Sequence, residues 1–224
     1  ASAYDAWYET PLGRLVDRLE KDAVFALVEA KPCDLALDLS CGTGNYALAL
    51  AQQGLRVVGV DLSEAMLRLA QAKVMRKGFR LSLVRADGSA LPFRAGMFDL
   101  VTVILGLEFT ADPGKTLQEA QRILKPEASL VVAILNRTGP WTLWRRIKRP
   151  FVPSIWRGAT FLSFDDLRGL LEARGFRDLR WRGAVRFLPL FRTRWVGCLE
   201  RWEAWRSGTR PAGATFLAVR GRRA

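Results

Sequence analysis

Histidine is absent from the 224 residues of this sequence, and cysteine occurs only three times. Without imidazole, the chain lacks the commonest general base and the commonest metal ligand in proteins. Cys33, Cys41 and Cys198 show neither paired nor metal-like spacing, and their number is odd. We therefore expect reduced thiols and no metal ion.

Long hydrophobic runs are also missing. The longest apolar stretches, residues 100–107 and 130–135, are much shorter than the roughly 20 residues that a membrane-spanning helix requires. The first residues, "ASAYDAWYETPLGR", show no basic start followed by an apolar segment, so we see no signal peptide. Together with reduced thiols, these features predict a cytoplasmic protein, with peripheral contact to a membrane left open.

Charge is abundant but unevenly distributed. The net charge is +13; residues 1–136 hold 15 Lys and Arg against 16 Asp and Glu, whereas residues 137–224 hold 20 against 6. Seven of the eight tryptophans also lie in the second part. The length suits a single core. We therefore expect one domain over residues 1–224, with a near-neutral front and a basic, Trp-rich back.

Apolar runs alternate with helical patterns along the front of the chain. Buried strands are predicted at 35–39, 55–61, 79–87, 98–105 and 129–135, and helices at 11–30, 45–54, 63–78 and 112–126. Strands that alternate with helices of this length predict an α/β fold, a parallel sheet with helices on both faces. Residues 1–30 would form an N-terminal flap and helix ahead of a ligand-binding core at 35–136.

The alternation stops after residue 136. Residues 137–162 interleave aromatic and basic side chains, and residues 192–208 look like an inserted helix. Between these insertions, Ser163 and Asp166 have capping-box spacing at the start of a helix, and residues 177–188 and 214–221 could be the last two strands. Residues 137–224 are therefore expected to form a cap and to complete the sheet.

Three aspartates stand at the predicted ends of successive strands. Asp38, Asp61 and Asp87 end the first three strands, and a turn with Gly42 and Gly44 follows the first. Ligands of open parallel sheets lie at the carboxyl ends of the strands. The three carboxylates should therefore line one crevice, although any one of them alone could merely cap a turn.

The acids decide which ligand suits the glycine turn. NAD carries a pyrophosphate, which a carboxylate directly before the turn would repel, although the glycines alone do not exclude it. S-adenosylmethionine (SAM) has an ammonium, a sulfonium and no phosphate. Asp61 would accept two hydrogen bonds from the ribose hydroxyls, and Asp87 would accept from the adenine amino group. Leu62 or Met66 would pack on the adenine ring.

Four segments carry a resemblance to a known family: "LALDLSCGTGNYALALA", "VVGVDLSEAMLRLA", "RADGSALPFRAGMFDLV" and "EAQRILKPEASLVVA". In order and spacing they resemble class I SAM-dependent methyltransferases, closest to the small-molecule, ubiquinone/menaquinone-type (methyltransferase type 11-like) branch. The resemblance covers roughly residues 4–136. It implies a Rossmann-like, seven-stranded, mostly parallel sheet whose last strand is antiparallel.

The resemblance also implies which residues contact SAM. In the core these are Asp38, Ser40, Gly42, Gly44, Asp61, Asp87, Gly88 and Leu105. The segment "YDAWYETPLG" resembles the family's N-terminal flap, so Tyr4, Tyr8 and Thr10 would close over the methionine end. Ser40 departs from the family, which usually has a glycine there; we expect the serine to be extended and SAM binding to be retained.

Methyl transfer from a sulfonium depends mainly on alignment, and a protein base is needed only if the acceptor must lose a proton early. Glu108, after the fourth strand, is the candidate base, against the alternative of a solvated loop acid or a flap partner. Phe109 would line the cofactor or acceptor pocket, or pack in the core. The acceptor should lie under residues 137–162 and 188–210.

The basic, Trp-rich segments leave several interpretations open. They could cover a bound small molecule that is aromatic, quinone-like or acidic, or they could rest on anionic lipid. They could also bind RNA phosphates while aromatic rings stack on bases. The remaining alternative is an ordinary Arg-rich surface. A small-molecule acceptor is the expected partner. The alternative to an enzyme is a SAM-binding regulator or scaffold associated with a membrane or RNA.

Overall fold

The computed structural model describes residues 2–148, 158–188 and 211–224, together with Gly197, Leu199 and Glu203. For residues 2–4, 145–148 and 212 it describes the backbone alone. Most of the predicted helix at 192–208 and part of the predicted cap segment 137–162 thus lie outside the described residues.

A seven-stranded sheet forms the centre of the described structure. Its strands are β1 Leu35–Leu39, β2 Arg56–Asp61, β3 Ser82–Arg85, β4 Phe98–Ile104, β5 Leu124–Leu135, β6 Phe176–Ala184 and β7 Phe216–Arg223. Their order is β3-β2-β1-β4-β5-β7-β6, and β7 runs antiparallel to both of its neighbours. The predicted Rossmann-like sheet with an antiparallel last strand is confirmed.

The helices are α1 Ser2–Tyr8, α2 Pro11–Phe25, α3 Asn45–Gln52, α4 Glu64–Lys77, α5 Pro113–Ile123, α6 Pro140–Lys148 and α7 Phe164–Glu172. Short polar side chains begin several of them, because a side-chain oxygen there can accept from a free amide of the first turn. Ser63 caps α4 and Asp112 caps α5. Ser163 and Asp166 form the predicted capping box of α7.

Element boundaries differ from the predictions in a few places. The helix predicted at 11–30 ends at Phe25, and the strand predicted at 79–87 is paired only over Ser82–Arg85. β3 is an edge strand, and its pairing with β2 stops where β2 ends, at Asp61. Asp87 therefore lies in the turn after β3 rather than at the tip of the strand.

Apolar side chains fill both faces of the sheet. Leu37 and Leu39 of β1 belong to one buried cluster, whereas Ala36 of the same strand belongs to the other. Val101 and Leu100 of β4 divide in the same way. Successive side chains of a strand point to opposite faces, so a sheet covered on both sides reads as a continuous apolar run.

Candidate cofactor-binding site

A cavity of about 890 Å³ opens over the carboxyl ends of β1 to β4. β1 lies between β2 and β4, so the strand order reverses there, which is where ligands of open α/β sheets bind. The described lining includes most of the predicted cofactor residues: Asp38, Ser40, Gly42, Asp61, Leu62, Met66, Asp87, Gly88 and Leu105. The three strand-end acids therefore share one cavity, whereas their contact with a cofactor stays a prediction.

The turn after β1 contains left-handed backbone at Ser40, with φ of 61°. The expectation that Ser40 is extended is wrong. The Cys41 amide, one residue further on, donates to the Val60 carbonyl of the neighbouring β2 at 2.9 Å. The serine fits because its neighbour is Gly106, where an added Cβ would come within 2.6 Å of the Ser40 Cβ. The left-handed serine costs roughly 1 kcal/mol.

The two glycines of the turn serve different purposes. An added Cβ at Gly42 would meet no atom within 4 Å, so this residue presents bare backbone to the cavity that it lines. Gly44 does not appear in the lining; it begins α3 with φ of 79°, and its added Cβ would lie 3.2 Å from that of Ala70 on α4. Gly42 thus allows close approach of a ligand, and Gly44 allows close approach of a helix.

Asp61 holds the turn and the start of α4 together. Its Oδ2 accepts a hydrogen bond from the Gly42 amide at 2.8 Å, and its Oδ1 accepts from the Ser63 amide at 2.8 Å. Each carboxylate oxygen can accept two hydrogen bonds, so both keep a lone pair for a ligand. The side chain is therefore oriented before any ligand binds.

Asp87 lies on the exposed side of the cavity. Its Oδ1 accepts from the amide and from the hydroxyl of Ser89, each at 2.8 Å. These two hydrogen bonds stabilise the charged form and lower the pKa of the Asp87 carboxyl. Asp87 therefore presents a negative charge to the cavity at neutral pH.

Asp38 is buried, with 2% of its surface exposed. Its Oδ1 accepts from the Thr102 hydroxyl at 2.8 Å, and its Oδ2 has no partner in hydrogen-bond geometry. Loss of solvation raises the pKa of Asp38 to about 7; the Thr102 hydroxyl and the nearby Ala47 amide oppose the rise, and the charge of Asp61 adds to it. A buried oxygen without a partner on a cavity wall favours a ligand that brings a donor or a positive charge.

SAM fits this set of groups. The charged residues of the described lining are four aspartates and one lysine: Asp38, Asp61, Asp87, Asp112 and Lys115. Such a lining favours a cationic ligand over a pyrophosphate, and the bare backbone of Gly42 leaves room for close contact. The unpartnered oxygen of Asp38 and the preset carboxylate of Asp61 would hold the cofactor's amino and hydroxyl groups.

The predicted flap residues do not line the cavity within the described residues. The Thr10 hydroxyl is used locally, since it donates to the Trp7 carbonyl at 2.8 Å and accepts from the Gly13 amide at 3.0 Å. The Tyr8 ring packs edge-on against Trp7, with centroids 4.9 Å apart. The side chain of Tyr4 lies outside the described part of the chain.

Glu108 does not line the cavity, although its neighbours Leu105 and Phe109 do. The residue is 1% exposed and its Oε1 accepts from the Leu135 amide at 2.6 Å, while Oε2 has no partner. Desolvation raises the pKa of Glu108 to about 7, against the lowering effect of the Leu135 amide. Its role as a base stays a prediction, and the buried position excludes the alternative of a solvated loop acid.

Sequence reasoning missed a polar group beside the glycine turn. Asp5, Thr43, Asn45 and Lys73 are joined by hydrogen bonds, and Thr43 and Asn45 line the cavity. Their positions range from residue 5 to residue 73, and no local motif connects them. Thr102, the partner of Asp38, could have been found, since it lies directly beside Asp38 on the neighbouring strand.

Metal sites and membrane spans do not appear in the part of the chain that the structure describes. Within it, no group of three or more His, Cys, Asp or Glu side chains could hold a metal ion. None of its helices is long and apolar enough to cross a bilayer.

Comparisons with known proteins agree on the family of the chain. A family model for the methyltransferase domain matches residues 37–132. An uncharacterized protein of Mycobacterium tuberculosis is 34% identical over 223 residues, which cover 98% of this chain and 70% of that protein. A demethylmenaquinone methyltransferase of Lactobacillus johnsonii is 30% identical over 179 residues, 69% of this chain and 72% of that enzyme.

Among solved structures, a SAM-dependent methyltransferase of Thermotoga maritima, described as a possible histamine N-methyltransferase, matches with a TM-score of 0.78. The match covers 100% of this chain and 95% of that one at 22% identity, and it shows the fold alone. With the family match and the relatives, the chain belongs to the class I SAM-dependent methyltransferases. It is an enzyme of the small-molecule branch, and its cofactor is SAM.

Proposed function

We propose that the enzyme methylates a small aromatic acceptor of the quinol type. The observation that carries this proposal is the set of relatives named demethylmenaquinone methyltransferase. They include the Lactobacillus johnsonii enzyme at 30% identity and an enzyme of Lactiplantibacillus plantarum that is 45% identical over 147 residues. Substrate sites diverge faster than cofactor sites, so the acceptor class needs support from the molecule itself.

Phe109, which lines the cavity and is 52% exposed, supplies part of that support. An aromatic cluster also packs in the core. Trp7 of α1, Trp141 of α6 and Phe187 after β6 meet edge to face, with ring centroids 6.3 and 6.1 Å apart. Trp141 and Phe187 belong to the buried cluster against which Leu105 packs, and Leu105 also lines the cavity. Trp141 and Phe187 are themselves buried, at 6% and 3% exposed, so it is the exposed face of Phe109 that suits an apolar ring.

The cofactor contacts follow from the preset groups of the cavity. Asp61 would bind the ribose hydroxyls, Asp87 the adenine amino group, and Leu62 or Met66 would cover the adenine ring. Asp38 would receive the positive methionine end. Bound SAM supplies an electrophilic methyl group on a sulfonium, and the protein's contribution is to orient the acceptor and to exclude water.

In the part of the basic back that the structure describes, nothing supports a membrane or RNA partner. Several of its described arginines pair with acids: Arg177 with Glu127, Arg186 with Glu203, and Arg222 with Glu29 at 2.7 Å. Because these arginines are paired with acids of the same chain, fewer of them are available to bind phosphates than the composition indicates. We therefore keep a small molecule as the acceptor.

The proposal is tested by release of S-adenosylhomocysteine (SAH), measured over a panel of reduced naphthoquinols, phenols, amines and lipids. Turnover with naphthoquinols above all other classes is the expected result. Turnover with amines alone would refute the acceptor class. SAH binding with no turnover across the panel would instead favour a SAM-binding regulator.

A further inference from the structure

Lys73 of α4 makes three hydrogen bonds and does not line the cofactor cavity. Its Nζ lies 2.7 Å from Asp5 Oδ1, 2.8 Å from Thr43 Oγ1 and 2.9 Å from Asn45 Oδ1. An ammonium group has three donors, so all three are used. The three acceptors come from α1, the glycine turn and the start of α3.

Asp5 completes the group from the other side. Its Oδ1 also accepts from the Thr43 hydroxyl at 2.9 Å, so Asp5, Thr43 and Lys73 are joined pairwise. The side chains of Lys73 and Asp5 are 17% and 25% exposed. A partly buried ion pair that is also hydrogen-bonded is screened by salt less than one on the open surface.

Helix α1 depends on such contacts for its position. It spans Ser2–Tyr8, and a helix this short is not stable by itself in water. In the described structure, Asp5 attaches it to the glycine turn, and Trp7 packs against Trp141 of α6, with ring centroids 6.3 Å apart. One face of the helix thus contacts the cofactor site and another contacts the aromatic cluster.

We propose that Lys73 is a positioning residue for cofactor binding. By holding Asp5, Thr43 and Asn45 at one point, it fastens α1 to the glycine turn and fixes the turn in its binding shape. Cofactor affinity then depends on a charge outside the cavity. Without Lys73, the Asp5 carboxylate keeps only the Thr43 hydroxyl, and the turn must be ordered when the cofactor binds, which lowers affinity.

The test is calorimetric titration of the full chain with SAH, for wild type, Lys73→Met and Asp5→Asn. Lys73→Met keeps the apolar stem and removes the charge. Each variant is expected to raise the SAH Kd roughly tenfold, the size of one lost hydrogen bond to a charged group. Because both act through one network, the double variant should lose little more than the larger single loss.

Lys77→Met is the matched control, since Lys77 is exposed on the same helix. It removes the same charge and should leave the SAH Kd unchanged. Hydrogen exchange gives a second readout: cofactor-free Lys73→Met should lose amide protection in residues 5–8 and 43–46, and Lys77→Met should not. A change in melting temperature alone, with an unchanged Kd, would mean that Lys73 only stabilises α4.

Either of two results overturns the proposal: an SAH Kd for Lys73→Met within twofold of wild type, or an equal loss in Lys77→Met. Should Lys73→Met fail to fold, Asp5→Asn carries the test, because it leaves α4 untouched, and an unchanged Kd then refutes the link to α1. Wild-type binding of SAH in the same experiment shows that the cofactor assignment stands whichever way the variants behave.

Discussion

The two ends of the strand order differ in charge. Strands β3, β2 and β1 form an acidic end, and strands β7 and β6 form an arginine end. At the carboxyl ends of β1 to β3, aspartates line a cavity, and part of their hydrogen-bonding capacity is unused: Asp38 Oδ2 has no partner. On β6 and β7, arginines meet the acids Glu29 and Glu127 in ion pairs. The predicted cofactor site therefore lies at the acidic end, and the net charge of +13 does not indicate its position.

The strongest prediction concerns a substitution at the acidic end. Asp61→Ala removes the expected ribose acceptor and also releases the Gly42 amide that Asp61 holds. We expect the SAH Kd to rise at least about 100-fold, since two or more hydrogen bonds to a charged group are lost. Glu127→Ala, an acid at the arginine end, is the matched control, and isothermal calorimetry on both variants makes the measurement. Equal losses in the two variants would contradict the division between the ends.

A second prediction concerns pH. The pKa of Asp38 in the free protein is raised to about 7, so protonation below that value removes the charge that attracts the cofactor's ammonium. SAH affinity should fall up to about tenfold per pH unit on acidification below pH 7, and Asp38→Asn should bind weakly with no such slope. Titrations from pH 6 to pH 8 measure this. A slope that survives in Asp38→Asn would assign it to another group.

Glu108 is a buried acid that does not line the cavity. Its pKa is raised from 4.5 to about 7, so its contribution to stability is present below pH 4.5 and is lost as pH rises through 7. Glu108→Gln should raise the free energy of unfolding by about 2 kcal/mol at pH 8 and change it little at pH 4.5. Urea denaturation at the two pH values measures both quantities.

The same Glu108→Gln variant tests the predicted base. If the Glu108 carboxylate only accepts the hydrogen bond from the backbone amide of Leu135, the Gln side chain can replace it and the turnover number stays unchanged. A large fall in the turnover number at unchanged SAH affinity would instead support a role in proton transfer. The two readouts separate the roles, because folding and catalysis are measured independently.

The smallest effect is expected at the arginine end. Arg177 and Glu127 form an ion pair whose side chains are 55% and 59% exposed. Arg177→Ala should change the free energy of unfolding by less than about 1 kcal/mol and leave SAH affinity unchanged. Retention on anionic liposomes and on tRNA, compared at low and high salt, is the accompanying measurement. A steep salt dependence that Arg177→Ala reduces would give this end a binding role.

The front of the chain was largely predictable because its signals are local. A few neighbouring residues are enough to place each of these features. They are the apolar runs, caps such as Ser63 and Asp112, and the acids Asp38 and Asp61. The antiparallel β7 came from the family resemblance, since the pattern of a single strand does not give its direction.

Other features depend on contacts between distant parts of the chain. The left-handed Ser40 follows from the space that Gly106 leaves, and the carboxylate of Glu108 turns towards Leu135 in the core. The network at Lys73 joins residues up to 68 positions apart. No pattern of neighbouring residues contains this information.

The cofactor assignment depends on the acidic lining of the cavity, and one experiment addresses it directly. The wild-type protein is titrated with SAH and with NAD under identical conditions in a calorimeter. Micromolar binding of SAH and no measurable binding of NAD is the predicted result. Tighter binding of NAD would show that the acids do not select against a pyrophosphate, and the assignment would be wrong.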